Sequence, residues 1–382
     1  MKDGLRRWVS AVLLSAMVLV PACKSPSDVV FERPTFAPQL DAQGRLRVTF
    51  GPGAEVMRGF TPDGRLLFRA DNLVPFGAGS ILASVPPTGG QVREEVGVYR
   101  TALKDQMGTL VSDGSRRVLA MWNPPIPGYH GCPDSSMTTL GTPGPAPRPP
   151  SPVYMVAFAL PARDGMPINS VPARAVWTNA VEISGVGGLD KRVRVTPALR
   201  DVRRTGANPF GPVILPGTDD MIYSDGEHLW RASIADTSAG PTQLGDGAYP
   251  ALSPDGHSLA YARPFGLDST QQVFTVPVGL VSCKQTQVEI TAAGWEVVLR
   301  DIESGEERVL TDGMEPVWDP SAERLVVRGT ELRWFYLSTE TSVPIEATTG
   351  AFAPAISPDG GVLAFSLFSE GANTDVYYLR TN

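Results

Sequence analysis

The chain has 382 residues, with 33 lysines and arginines against 40 aspartates and glutamates and a formal net charge of -7. A net acidic chain is a poor nucleic-acid binder, because phosphate contacts need a basic face. Glycine and proline number 39 and 36, no long amphipathic helix follows the N-terminal run, and short apolar stretches alternate with turn residues, so the chain reads as all-β.

Lys2, Arg6 and Arg7 precede an uncharged run from Trp8 to Cys23. A basic start followed by a short apolar stretch is an export signal, too short to remain as a membrane-spanning helix. The run ends in Val20-Pro21-Ala22-Cys23, which resembles the bacterial lipoprotein signal. The resemblance implies a signal peptide over 1–22 and lipidation of Cys23. With Lys24 next, it also implies delivery to the outer membrane of the cell envelope. The alternative is an ordinary secretory signal cleaved near Ala22. Loss of this segment removes Lys2, Arg6 and Arg7 against Asp3 alone, leaving a still more acidic chain that acyl groups, rather than charge, would hold to a membrane. Residues 23–44 are expected to form the lipidated cysteine and a tether, and 45–382 the folded domain.

The first strand is expected at Arg45-Leu46-Arg47-Val48-Thr49-Phe50. A strand–turn–strand phrase then begins to repeat. It runs through Pro62-Asp63-Gly64, loses its proline at Ser112-Asp113-Gly114, and is worn at Ala175-Val176-Trp177-Thr178-Asn179. It returns at Pro216, is clearest at Ser253-Pro254-Asp255-Gly256, and recurs at Pro320 and at Ser357-Pro358-Asp359-Gly360. Proline presets φ for the second turn position and glycine closes the fourth without steric cost, so the recurring aspartates at 63, 113, 255 and 359 are turn residues. The turn prolines 216, 254, 320 and 358 stand 38, 66 and 38 residues apart.

This spacing and phrase resemble the TolB-type propeller repeat, a relative of the WD repeat, in which the phrase joins the two innermost strands of a four-stranded blade. The resemblance implies a β-propeller. Counting the phrases at 62, 112, 179, 216, 254, 320 and 358 gives seven blades, and six if the worn copy at Asn179 is set aside. The last copy shows strands at 354–357, 362–367 and 375–380. The N-terminal strand 45–50 is therefore expected beside Val376-Tyr377-Tyr378-Leu379, supplying the missing fourth strand and closing the ring.

Two insertions interrupt the repeat. Between Pro124 and Pro152, ten of 29 residues are proline. That stretch (insertion 123–152) cannot form a ladder and reads as a passive or partner-binding excursion. A second insertion, near 277–294, accounts for the long interval. Cys132 and Cys283 lie one in each, in an oxidising compartment, and are either joined by a disulfide or two free thiols.

Chemistry is sparse. Of three histidines, His130 lies near Cys132 without further zinc ligands, and His228 and His257 follow turns. Asp219-Asp220 lacks a calcium-loop pattern. No nucleophile elbow, phosphate loop or dinucleotide fingerprint occurs. Trp177, Trp230, Trp318 and Trp334 read as packing residues on strands rather than sugar platforms. No catalytic residue, cofactor or metal site is expected. The functional expectation is a non-catalytic, lipid-anchored envelope propeller that binds or scaffolds an unknown envelope protein. The alternative is a propeller lyase or hydrolase acting on an extracytoplasmic glycan or peptide.

Overall fold

The computed structural model describes residues 35–50, 53–71, 80–96, 107–112, 116–122, 152–159, 174–180, 191–195, 197, 205, 211–233, 241–278, 281–369 and 373–381. Cys23, His130, Cys132 and nearly all of the proline-rich insertion lie outside these residues. Among them, no helix is long and apolar enough to cross a membrane.

The fold is an all-β propeller of four-stranded antiparallel blades. Six sheets of four or five strands are present among the described residues. Their innermost strands are Glu55–Phe60 (sheet 1), Met107–Ser112 (sheet 2), Val213–Ile214 (sheet 3), Ala248–Leu252 (sheet 4), Met314–Trp318 (sheet 5) and Phe352–Ile356 (sheet 6). Each inner strand pairs with the strand that follows it in sequence, as a chain of hairpins must.

Sheet 2 takes in the worn copy at Asn179. Its strands are Met107–Ser112, Arg116–Trp122, Pro152–Ala159 and Arg174–Ala180, paired in that order. Asn179 therefore lies on the fourth strand of the sheet that begins with the Ser112 copy. It opens no sheet of its own, since it has no turn residues with which to start a hairpin. The proline-rich insertion joins the second and third strands of this sheet.

Five sheets pack in series through apolar faces. Leu215, Ile222 and Leu229 of sheet 3 meet Leu259, Tyr261 and Val298 of sheet 4. Ala260 and Val297 of sheet 4 meet Trp318, Leu325, Val327 and Phe335 of sheet 5. Val326 and Leu332 of sheet 5 meet Leu363, Phe365 and Tyr377 of sheet 6. Ala355, Ala364, Val376 and Tyr378 of sheet 6 meet Met57, Leu66 and Phe68 of sheet 1. Burying each large apolar side chain contributes about 1.5–3 kcal/mol, and alternation along the strands is what gives every sheet two apolar faces to bury.

Sheet 6 is completed from the other end of the domain. Leu46–Arg47 pairs antiparallel with Thr374–Arg380, with Tyr377 opposite Arg47 and Tyr378 opposite Leu46. Val48 continues the contact by donating its N–H to Val376 O at 2.9 Å. The pairing expected for 45–50 is thus present, but only 46–47 has strand form, and Gln39–Leu40 adds a fifth strand outside it.

Residues 35–44, expected in the tether, belong to the folded unit, which begins at Thr35. Thr35–Phe36 pairs with Gly90–Gln91, and Phe36 is buried against Phe68 with ring centroids 6.4 Å apart. A buried aromatic anchors a segment that its polar neighbours had disguised as linker.

Sheet 4 holds the second insertion. Its middle strands, Ser258–Val278 and Val281–Asp301, are 21 residues each and pair along their whole length. The extra length is shared between both strands of one hairpin, so it begins well before Pro277. Cys283 stands opposite Val276 near the hairpin's end; Cys132, the other cysteine of the expected pair, lies outside the described residues.

Candidate functional site

The turn phrase is built for structure. In Ser253-Pro254-Asp255-Gly256 the Ser253 hydroxyl donates to Asp255 Oδ1 at 2.5 Å and accepts from Ser258 N at 2.9 Å. Asp255 Oδ1 also accepts from His257 N at 3.0 Å. Ser357 and Asp359 repeat the arrangement with Val362 N and Gly361 N. Thr61 and Asp63 repeat the hydroxyl–carboxylate bond after Pro62, with Gly64 at φ 77. The serine hydroxyl, then the backbone amide, hold the Asp255 and Asp359 carboxyls below the usual carboxylate range.

Glycine in this turn does more than adopt a positive φ. A Cβ on Gly256 would lie 2.9 Å from Cγ of Pro216, the turn proline of the preceding sheet. Gly360 faces Pro320 in the same way, at 3.6 Å. Proline of one turn seats on glycine of the next, so the phrase also sets how closely adjacent sheets approach at this end.

The inner strands carry a second repeated device. Tyr249, Glu315 and Ala353 all have left-handed backbone, with φ of 56, 50 and 49. Each precedes a proline, Pro250, Pro316 or Pro354, and each sits at a break in register between the inner strand and its neighbour. An inner strand is a sheet edge, so a proline there forfeits no ladder bond, and a bulge bends the strand away from its partner. Left-handed backbone at a non-glycine residue costs about 1–3 kcal/mol and is kept only where the surroundings enforce it.

Those surroundings are neighbouring sheets. Glu315 is 5% exposed; its Oε1 accepts from Arg328 Nη1 and its Oε2 accepts from Ala353 N, the bulged amide of sheet 6, at 2.6 Å. The Trp318 indole donates to Ala251 O of sheet 4 at 3.0 Å. Met57 N of sheet 1 donates to Ser366 Oγ of sheet 6 at 2.8 Å. The inner strands are therefore laced to neighbouring sheets across three successive interfaces. At their starting ends Val56, Ala248, Tyr249 and Phe352 pack into one apolar cluster with Trp295 and Met314.

Between these strands lies a cavity of about 550 Å³. Inner strands or adjoining residues of sheets 1, 3, 4, 5 and 6 all line it, from the bulges at Tyr249, Glu315 and Ala353 to the turn prolines Pro254, Pro320 and Pro358. Its wall is apolar and proline-rich, with Phe60, Val213, Leu252, Val317, Trp318 and Ile356 among the lining side chains, and Arg58 and Glu315 as its charged members. Glu315 is engaged by Arg328 and the Ala353 amide, which leaves it poorly placed to act as an acid or base on a bound molecule.

The residues singled out in the sequence divide accordingly. Pro254 and Pro358 reach the cavity, whereas Asp63, Asp255 and Asp359 stay within their turns. Asp220 pairs with Arg231 at 2.6 Å. His228 lies 3.6 Å from both Asp225 and Asp246. No group of three histidines, cysteines or carboxylates suited to a metal occurs among the described residues. Trp318 is buried, the Trp230 indole donates to Asp225 Oδ2, and Arg324 covers the Trp334 ring at 3.9 Å. All three are engaged within the fold, and Trp318 also lines the cavity; the Trp177 side chain is not among the described ones. Sequence reasoning missed the bulge residues. Their signal was a proline four positions before each turn proline: 212 and 216, 250 and 254, 316 and 320, 354 and 358.

No protein-family model matches the chain. The Tol-Pal system protein TolB of Anaeromyxobacter dehalogenans strain 2CP-C is 27% identical over 137 residues, covering 34% of this chain and 31% of that protein. The chain carries partial, distant similarity to TolB. The match spans about a third of the length of the curated relatives. Among solved structures, an oligogalacturonate lyase in complex with manganese has a TM-score of 0.46 at 12% identity, covering 91% of this chain and 97% of its own. A TolB described as putative, from Agrobacterium tumefaciens, has a TM-score of 0.42 at 11% identity, covering 92% and 99%.

Proposed function

We propose that this chain is a lipid-anchored propeller of the cell envelope that works as a protein-binding module, taking an apolar, extended segment of its partner into the cavity between the inner strands. The lining of that cavity carries the proposal. Proline-rich, apolar walls with a few polar points suit side-chain and backbone contact with a peptide better than they suit acid–base chemistry. The sequence similarity to TolB, a Tol-Pal system protein by name, agrees with an envelope role. The lipoprotein-like Cys23 supplies the anchor in this reading, and the six sheets supply a rigid frame for the site.

The test is photo-crosslinking in membranes of the native host, with the probe placed at Ile356 in the cavity wall or at the exposed outer-strand residue Val343. The proposal expects one envelope protein recovered from Ile356 and not from Val343. Equal recovery from both positions, or turnover of a glycan or peptide by the purified chain, would count against it.

A further inference from the structure

The cavity between the inner strands has two unlike ends. At one stand the turn prolines Pro254, Pro320 and Pro358. At the other, Val56 of sheet 1, Ala248 of sheet 4, Met314 of sheet 5 and Phe352 of sheet 6 belong to one apolar cluster. Val56, Ala248 and Phe352 are at most 1% exposed there. Tyr249 and Ala353 belong both to this cluster and to the cavity wall, so between these four sheets the cavity ends on packed side chains. Tyr249 and Pro254 are five residues apart, about 16 Å at roughly 3.3 Å per residue, the length of about five extended residues. A segment that enters past the turn prolines stops at the cluster. The end of a chain fits such a space without having to fold back on itself.

The charge at that depth comes from one departure in the repeat. Four positions before the turn proline stands Pro212, Pro250, Pro316 or Pro354, but in sheet 1, four positions before Pro62, stands Arg58. Arg58 is the extra residue of that strand's bulge, between Met57 and Gly59. It is half-buried and lines the cavity. Glu315, the cavity's other charged member, is matched by Arg328. A fifth proline would have kept this level apolar, whereas the arginine sets a cation beside the blind end. Resting on the reading of this cavity as a peptide site, we propose that it captures a C-terminus. The last few residues of the partner, apolar, pass the turn prolines, and the terminal carboxylate meets the Arg58 guanidinium. Arg58 Nη1 donates to Met57 O at 3.3 Å. Five N–H donors in a planar fork let a guanidinium take a carboxylate in addition to its bonds within the fold. An N-terminal ammonium would instead bring like charge towards Arg58.

The test uses two pools of synthetic hexapeptides of random apolar sequence, one with free C-termini and one amidated. Each is equilibrated with the full chain in detergent, and the retained peptides are quantified by mass spectrometry. The free acids are expected to be retained roughly tenfold or more over the amides, the scale of a hydrogen-bonded charge. Acetylating the N-termini should change nothing, and Arg58→Met should erase the preference. Arg58→Lys, which keeps the charge and loses the fork, should restore part of it, and serves if the methionine variant does not fold. Equal retention of acid and amide by the wild type, or a preference that survives Arg58→Met, overturns the capture of a C-terminus and leaves the cavity a peptide site. A cross-link from Ile356 that maps to an internal stretch of the recovered protein does the same. Retention of neither pool overturns both readings.

Discussion

The Arg47 guanidinium stands 2.7 Å from the Asp375 carboxylate, across 328 positions of sequence. Asp375 is buried, and Thr49 adds a second tie by donating to it at 3.4 Å and accepting from Val376 N at 2.9 Å. A strand of two residues is too short to hold by its ladder bonds alone. These side chains fasten it. Arg47→Ala should lower the unfolding free energy by about 1.5–3 kcal/mol, the range for hydrogen bonds to charged groups. Urea titration checks this, and a double-mutant cycle with Asp375→Ala should show coupling between the two; additive losses would place the hold in Val48 and its apolar neighbours instead.

Ala322 has φ 61 at the place in its turn where Gly256 and Gly360 have φ 79 and 73. Ala322→Gly should stabilise the protein by roughly 0.5–1 kcal/mol, left-handed strain relieved less the added freedom of the unfolded chain. Gly256→Ala should do the reverse and by more, because its Cβ would also strike Pro216. Paired denaturation curves for the two variants settle the sign of each.

Trp318→Phe keeps an aromatic ring, trims the buried indole to a single ring and removes the donor to Ala251 O. The expected cost is about 1 kcal/mol. Glu315→Ala should cost more, since it removes the acceptor of both the Arg328 guanidinium and the Ala353 amide. Thermal melts that rank the two variants the other way would remove Glu315 from its place as a tie between sheets 5 and 6.

His228 responds to pH. Hydrogen bonding to Asp225 raises its pKa above the ordinary histidine value, burial opposes the rise, and the charges of Asp225, Glu227 and Asp246 support it. A raised folded-state pKa means that the protonated form favours the fold. The stabilisation is complete below about pH 6.5, the unfolded value, and fades as pH climbs through the higher folded one. Stability of wild type minus His228→Gln should therefore be largest near pH 5 and shrink towards pH 8.5. A pH-independent difference would assign His228 a packing role against Trp230.

Much of the fold was legible because turn chemistry is local. Ser253-Pro254-Asp255-Gly256 announces its hairpin within four residues, and the proline spacing announces the repeat. What stayed hidden depends on partners remote in sequence. Asn179 looked like a turn copy until its strand was seen to pair with Pro152–Ala159. Phe36 looked like linker because its burial against Phe68 is tertiary. The cavity was hidden for the same reason: Pro250, Pro316 and Pro354 were in view, but their common exposure on inner edges follows only from the ring. Left-handed backbone at Glu315 has no signature in residue type, since Ala353 and Tyr249 share it.

In the proposed function a partner enters the cavity between the inner strands. The most direct measurement is the affinity of the protein recovered at Ile356 for the wild type and for Val317→Glu, which puts a carboxylate into the apolar wall. Burying an unpaired charge against an apolar ligand should weaken binding roughly a hundredfold, beyond the lowering of the unbound chain's melt that follows from Val317 packing against the core between sheets 5 and 6. Unaltered affinity in a folded Val317→Glu variant would show that the partner binds elsewhere.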